Sequence, residues 1–300
     1  MSIAVVGSIN ADLTVTVQRQ PAPGETLLGT SSTVSPGGKG ANQAVAAARM
    51  GATVHMIGAV GTDSYAAPAC AIMQQTGMGE EGISTVDGPT GLAVITVAED
   101  GENSIVVVPG ANAALSPEMV DAHEDLIAQS SILLLQGEIP ATTIERAIEL
   151  ARHHEVRVVV NLAPVIEMDR QALLHADPLI ANEHEAGLIA QHYNLDSQGS
   201  PEELAERLCA AGFASVVLTL GAQGALVATA AGIHRVPAAT VQAVDTTGCG
   251  DACAGALVAA LDSGAELVEA TALGCRVGAF AATRAGAQTS YPSAEDTLPS

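Results

Sequence analysis

Ile132-Leu-Leu-Leu-Gln-Gly-Glu-Ile-Pro-Ala-Thr-Thr-Ile-Glu-Arg-Ala-Ile-Glu-Leu-Ala-Arg-His-His-Glu-Val-Arg-Val-Val-Val160 carries the pattern on which the fold turns. Ile132–Leu135 is a short apolar run without polar alternation, which reads as a strand buried on both faces. Thr142–His153 has helical patterning, and Val156–Val160 returns to a strand. The same alternation extends outward. Ile3–Val6, Val54–Val60, Leu179–Ala181 and Val216–Leu220 read as strands, and Gly40–Met50, Ser64–Gln75, Pro117–Ile127, Pro201–Ala211, Ala252–Leu261 and Glu266–Ala282 as helices. This order predicts an α/β protein in three α/β/α layers around a mostly parallel sheet.

Two regions break the rhythm. Leu13–Val17 alternates apolar and polar residues, is followed by Pro21-Ala-Pro-Gly24 and then by Thr26–Thr33, while Leu92–Val97 and Asn103–Val108 flank Glu99-Asp-Gly-Glu102. Strands with one polar face belong in a small sheet off the main layer, a lid spanning approximately residues 11–35 and 90–110 of a single domain over 1–300. Tyr291–Ser300 reads as a loose tail.

The 300 residues are 48% hydrophobic and 15% charged, enough for a sizeable core and against a disordered chain. With 33 acids against 11 bases the formal net charge is -22, a field that repels nucleic-acid phosphate; a phosphorylated ligand needs local donors or a metal. Ten of the bases are arginines, and Lys39 is the single lysine. No apolar stretch approaches the roughly 20 residues of a membrane span. Met1-Ser-Ile-Ala-Val-Val-Gly7 has no leader pattern, so a cytoplasmic location is expected. Cys70, Cys209, Cys249, Cys253 and Cys275 form no disulfide framework or Cys-x-x-Cys pair and read as free thiols.

The strongest local signal is Asp245-Thr-Thr-Gly-Cys-Gly-Asp251, which opens an apolar helix. Gly248 and Gly250 let the N–H groups of 248–251 converge on an anion at a helix N-terminus. An acid there would be repelled by phosphate unless it serves as a base toward a hydroxyl attacking phosphorus; a helix cap on a tight turn is the plain structural reading. Gly37-Gly-Lys-Gly-Ala-Asn42 opens another helix without the spacing of a phosphate-binding P-loop, and supplies Lys39 and Asn42 as donors. Asn10 and Asp12 follow the first strand, at the sheet edge where α/β proteins bind ligands, or form an Asx turn. A polyhydroxylated small molecule suits this cluster. Gln136-Gly-Glu138, Asn182-Glu-His-Glu185 and Thr219-Leu-Gly-Ala-Gln-Gly224 lie beyond further strand ends, where their oxygens can hold sugar hydroxyls or waters around Mg²⁺. Equally, Asn182 can cap a helix, His184 can be a surface histidine, and Gly221 and Gly224 can be hairpin glycines.

Together with Pro23-Gly-Glu25, Gly58-Ala-Val-Gly-Thr-Asp63 and Thr283-Arg-Ala-Gly-Ala-Gln288, these motifs closely resemble, in order and from Ile3 to about Pro292, the ribokinase-like branch of the PfkB carbohydrate kinase family. The resemblance implies a ribokinase-like fold and ATP-dependent phosphorylation of D-ribose at O5, giving ribose 5-phosphate and ADP. It implies Asp251 as catalytic base and Gly248, Cys249 and Gly250 as anion hole. Asn10, Asp12, Gly38, Lys39, Asn42, Glu138 and Asp251 would bind the sugar. Asn182, Glu185, Thr219, Gly221, Gly224, Gly250 and Cys275 would lie on the nucleotide side, Asn182 and Glu185 also around hydrated Mg²⁺. A monovalent cation, normally K⁺, would use Asp245 and Thr247 with oxygens near Ala281, Arg284, Gly286 and Ser290. A homodimer through the lid is implied as well. The chain departs from the pattern at Cys249, usually Ala, at Cys253, often Phe, and at Cys275, often Asn or His.

Another sugar or nucleoside kinase of the family, such as a fructokinase or adenosine kinase, and a nonenzymatic sugar-binding regulator remain as alternatives. A dinucleotide oxidoreductase is disfavoured, because Gly7-Ser-Ile-Asn-Ala-Asp12 is not the expected glycine fingerprint.

Overall fold

The computed structural model describes residues 1–79 and 81–300. In chain order the first half contains β1 (Ile3–Val6), β2 (Asn10–Val17), β3 (Ser31–Gly37), α1 (Lys39–Arg49), β4 (Val54–Val60), α2 (Ala66–Gln75), β5 (Ile83–Thr85), β6 (Gly91–Ala98), β7 (Asn103–Val108), α3 (Pro117–Asp121), α4 (Glu124–Ala128), β8 (Ile132–Gln136) and α5 (Ala141–His153). There follow β9 (Arg157–Asn161), α6 (Arg170–Leu173), β10 (Ala176–Asn182), α7 (Glu183–His192), α8 (Pro201–Ala210), β11 (Ser215–Thr219), β12 (Ala225–Thr229), β13 (Gly232–Val236), α9 (Cys249–Asp262) and α10 (Leu267–Ala282).

Among the described residues nine strands form the main sheet in the order β13-β12-β11-β10-β9-β8-β1-β4-β5. Pairing is parallel from β11 to β5 and antiparallel at β11/β12 and β12/β13. Alternate residues of each central strand enter opposite cores. Ile3, Val5, Ile132, Leu134 and Val159 pack with α1, α2, α9 and α10, whereas Ala4, Val6, Leu133, Leu135, Val158 and Val160 pack with the helices between α3 and α8. This two-sided burial is why the strands lack polar alternation, and it confirms the three-layer α/β/α expectation.

The second sheet, β3-β2-β6-β7, is the small lid sheet. Its β3 begins at Ser31, not Thr26, and continues to Gly37, so the lid runs directly into α1. The expected helix Pro117–Ile127 is two short helices, with Ala122 and His123 between them. β5, β12, β13, α6 and α7 add elements that the sequence reading did not name. β12 and β13 are an antiparallel hairpin extension of the sheet edge, which apolar runs alone do not separate from parallel strands.

The tail expectation is corrected. Tyr291 is 3% exposed, and its carbonyl and that of Gln288 accept from Arg49 Nη1 at 2.6 and 2.8 Å. Ala294 N donates to Arg49 O at 2.8 Å, Leu298 packs on the core, and Arg276 binds the carbonyls of Leu298 and Pro299. A sparse apolar pattern concealed these contacts because most are made by backbone carbonyls. No helix among the described residues is long and apolar enough to cross a membrane.

Candidate active site

From β1 the chain passes to β4 and β5 on one side, then crosses to β8 on the other. The carboxyl ends of β1 and β8 therefore flank a switch point, where an open α/β sheet leaves a crevice. Ser8, just after β1, donates its hydroxyl to Glu138 Oε2 at 2.6 Å; Lys39 N donates to the same oxygen at 3.0 Å. Gly38 initiates α1 at φ 86°, and a Cβ there would lie 2.7 Å from Asn10 N. Only glycine lets α1 approach the start of β2 this closely.

Asn10 and Asp12 are strand residues, not an Asx turn. Asn10 is buried and its Oδ1 accepts from Asn112 Nδ2 at 2.6 Å. Asp12 has no side-chain hydrogen bond among the described residues, and its carboxylate lies where a Cβ on Gly37 would be. Burial, with the charges of Glu138 and Asp251 adding, raises its pKa from 3.8 to about 7. Opposite these acids stands Lys39. The Asp251 charge raises the pKa of its ammonium despite burial, with Glu138 and Glu185 contributing. The single lysine is thus the counter-charge of an acidic pocket.

Asp251 occupies the first turn of α9 and is 6% exposed. Asn42 Nδ2 donates to its Oδ2 and Gln43 Nε2 to its Oδ1, both at 2.9 Å. Gly248, at φ 71°, lets the chain turn into α9, and a Cβ there would sit 2.6 Å from the Tyr291 hydroxyl. That hydroxyl donates to Gly248 O at 3.0 Å. Cys249 N turns back to Thr246 O at 3.2 Å, whereas the N–H groups of Gly248, Gly250 and Asp251 have no partner among the described residues. These free donors at the head of a 14-residue helix suit an anion.

Two cavities meet at this turn. One, of 220 Å³, brings Lys39, Asn182, Glu185, Thr219, Gly248, Gly250 and Asp251 together. The other, of 470 Å³, shares Asn182, Thr219 and Gly250 and adds Gly221, Gly224, Cys249, Cys253 and Cys275 under α9 and α10. A third, of 390 Å³, lies beside Asn10 and Glu138 with Val107 of the lid. Asn182 does cap α7: its Oδ1 accepts from Glu185 N at 2.8 Å and Glu185 Oε2 from Asn182 N at 2.9 Å. The cap faces the cavity, so the structural reading and the ligand reading coexist. Gly221 and Gly224 likewise are hairpin glycines between β11 and β12 and line the larger cavity. His184 is exposed.

Asp245 is partly buried, which opposes ionisation, yet the N–H groups of Gly286 and Thr247 prevail and lower its pKa. Ser290 Oγ donates to Ala287 O, Ala281 O accepts from Arg284 N, and the Arg284 guanidinium lies 4.2 Å from the Phe280 ring centre. The Arg284 side chain is thus engaged with Phe280.

Ser8, Gln43, Asn161, Gln288 and Tyr291 were missed by the sequence reading. Asn161 was accessible: it ends β9 as Glu138, Asn182 and Thr219 follow or end neighbouring strands, and it lines the smaller cavity. Its Oδ1 accepts from Gln43 Nε2 at 2.8 Å. Gln288 ends the Thr283–Gln288 motif but had no role assigned there, and Tyr291 gave no signal, because both reach the site by tertiary docking.

Residues 1–294 match the family described as pfkB family carbohydrate kinase. A ribokinase of Haemophilus influenzae is 39% identical over 298 residues, covering 99% of this chain and 97% of that protein. A deoxyribokinase of Salmonella typhi is 34% identical, with 98% and 97% covered. Among solved structures, a ribokinase from Thermotoga maritima superposes with TM-score 0.91 at 34% identity, covering 98% and 97% of the two chains. An Arabidopsis thaliana ribokinase complexed with ribose and ATP has TM-score 0.89 at 27% identity, covering 98% and 96%.

Proposed function

Since this chain belongs to the pfkB family of carbohydrate kinases and is an ATP-dependent phosphotransferase, we propose that its acceptor is D-ribose, phosphorylated at O5 to ribose 5-phosphate with release of ADP. One observation carries the reading: Asp251 stands on the turn between the acidic polar pocket and the larger cavity, beside unpaired N–H donors.

In this reading Asn10, Asp12, Gly38, Lys39 and Glu138 hold the sugar, with Asn42 supporting it through Asp251. Asp251 takes the proton of the primary hydroxyl as its oxygen attacks the γ-phosphorus. The free N–H groups of Gly248 and Gly250 receive the developing charge on the phosphoryl oxygens, aided by the α9 dipole. The Cys249 N–H joins them once it leaves Thr246 O. The nucleotide lies in the 470 Å³ cavity along Thr219, Gly221, Gly224 and Cys275. The small sheet is the lid, and its closure excludes water from the transfer.

The residues present fit the expected ions. Glu185 Oε1 and the Asn182 amide nitrogen are outside their capping bonds, and Glu185 faces the Lys39 pocket, so this pair would hold waters of a nucleotide-borne Mg²⁺. Asp245 and Thr247, with oxygens near Ala281, Arg284, Gly286 and Ser290, would supply an oxygen-only donor set suited to K⁺. When bound, the ions neutralise charge on the phosphates and behind the anion turn.

A homodimer through the lid is part of the proposal. β7 is an edge strand whose Ile105, Val106, Val107 and Val108 are all exposed, together with Val34 of β3. Such an apolar edge favours pairing.

A coupled assay with ribose, 2-deoxyribose, fructose and adenosine, at fixed ATP and Mg²⁺ and in K⁺ or Na⁺, tests the substrate. The highest kcat/KM should be for ribose. A preference for 2-deoxyribose, fructose or adenosine would replace the acceptor, and no sugar-dependent ATP consumption would favour a regulator. Asp251→Asn should lose most turnover and keep ribose binding; unchanged turnover removes Asp251 from the reaction.

A further inference from the structure

Asp251 is held from behind by two chains of side-chain amides. Asn42 and Gln43 donate to its two oxygens, and each accepts in turn from another amide: Gln288 Nε2 to Asn42 Oδ1 at 3.0 Å, and Gln136 Nε2 to Gln43 Oε1 at 2.8 Å. Gln43 and Gln136 are wholly buried and Gln288 is 1% exposed. Each chain donates toward the carboxylate, with Gln43 Nε2 also donating to Asn161 Oδ1. The last member of each, Gln136 and Gln288, keeps a buried Oε1 without a partner among the described residues. An unpaired buried acceptor costs free energy, so the direction is not set by each amide's local satisfaction. It is set by Asp251: reversing Asn42 would put its carbonyl oxygen against the carboxylate, and reversing Gln288 would put two carbonyl oxygens together.

We propose that Gln288 is a positioning residue for phosphoryl transfer: by donating to Asn42 Oδ1 it fixes the Asn42 amide with Nδ2 toward Asp251, so that the carboxylate keeps a free lone pair toward the sugar hydroxyl. The inference rests on the reading of Asp251 as the base. Gln288 suits the role because its backbone is anchored independently. Arg49 grips its carbonyl and that of Tyr291, and the Tyr291 hydroxyl reaches Gly248 O, so the same segment braces both the base and the anion turn.

The test combines Gln288→Met with Asn42→Ala. Methionine fills similar space and donates nothing, so kcat should fall about 10- to 100-fold, as for a small misplacement of a reacting group, while KM for ribose and ATP stays within about threefold. Because Gln288 acts through the Asn42 amide, adding Gln288→Met to Asn42→Ala should lower kcat no further than Asn42→Ala alone. A residue that merely fills space would lower kcat by the same factor in both backgrounds.

Asp251→Asn is assayed alongside. Turnover retained by that variant overturns the base assignment itself. If Asp251→Asn is inactive, the inference alone is overturned by full kcat in Gln288→Met, by KM rising as much as kcat falls, or by Gln288→Met lowering kcat equally with and without Asn42→Ala. Should Gln288→Met fail to fold, Gln288→Leu in the same two backgrounds decides.

Discussion

Asp12→Asn should make the unliganded protein more stable and the enzyme worse. Asp12 is half-buried beside Glu138 and Asp251 with no hydrogen bond among the described residues, and its pKa is raised from 3.8 to about 7. The folded state therefore binds this proton more tightly than the unfolded chain does. The stabilising contribution of the protonated acid is fully present below about pH 4 and is lost as pH rises through about 7. At about 1.4 kcal/mol per pH unit, ionised Asp12 costs the fold about 4 kcal/mol at pH 8 and about 1.5 kcal/mol at pH 5. Asparagine removes the ionisation in both states. Thermal melts from pH 5 to pH 8 should show Asp12→Asn more stable by a margin that widens with pH, at roughly 2 °C per kcal/mol in a chain of this size. Ribose binding runs the other way. The carboxylate accepts sugar hydroxyls, so wild-type affinity should weaken below pH 7 by up to about tenfold per unit, while Asp12→Asn binds weakly with little pH dependence. Equal stability of the two proteins at pH 8, or a gap that does not change with pH, would refute the account of Asp12 as an acid whose ionisation the fold opposes.

Three further outcomes are expected. Lys39→Ala should raise KM for ribose at least about tenfold and leave KM for ATP nearly unchanged, because Lys39 faces Asp251 and Glu138 and is outside the larger cavity; equal losses would move it to the nucleotide side. Cys275 lines the larger cavity and Cys253 holds its pKa down despite burial, so an alkylating agent should modify it faster than buried Cys70, and ADP should protect it. Mass spectrometry with and without ADP checks this, with absent protection counting against nucleotide in that cavity. Ile105→Asp should shift the protein toward monomer in analytical ultracentrifugation, whereas an unchanged mass would locate any dimer contact elsewhere.

Much of the frame was legible in the chain because strands buried on both faces must be apolar throughout. Val54–Val60 matches β4 at both ends, and Asn103–Val108 matches β7. The glycine turns before α1 and α9 were legible for a related reason: no other residue tolerates those backbone angles and approaches, so the requirement is written locally. The split of residues 117–127 and the late start of β3 were not, since short helices and edge strands depend on what they pack against.

Sequence by itself determined the alternation of strands and helices, the excess of acids, the solitary Lys39 and the acid at the head of α9, because each is a property of composition or of neighbouring residues. Tertiary structure decided what those residues face. Lys39 lies among Asp251, Glu138 and Glu185; Asp12 has no hydrogen-bond partner among the described residues; and Tyr291 and Gln288, 40 and 37 residues beyond Asp251, return to brace Gly248 and Asn42. The physical reason is that burial and hydrogen-bond direction depend on which distant segments share one crevice, and a linear pattern does not encode that distance.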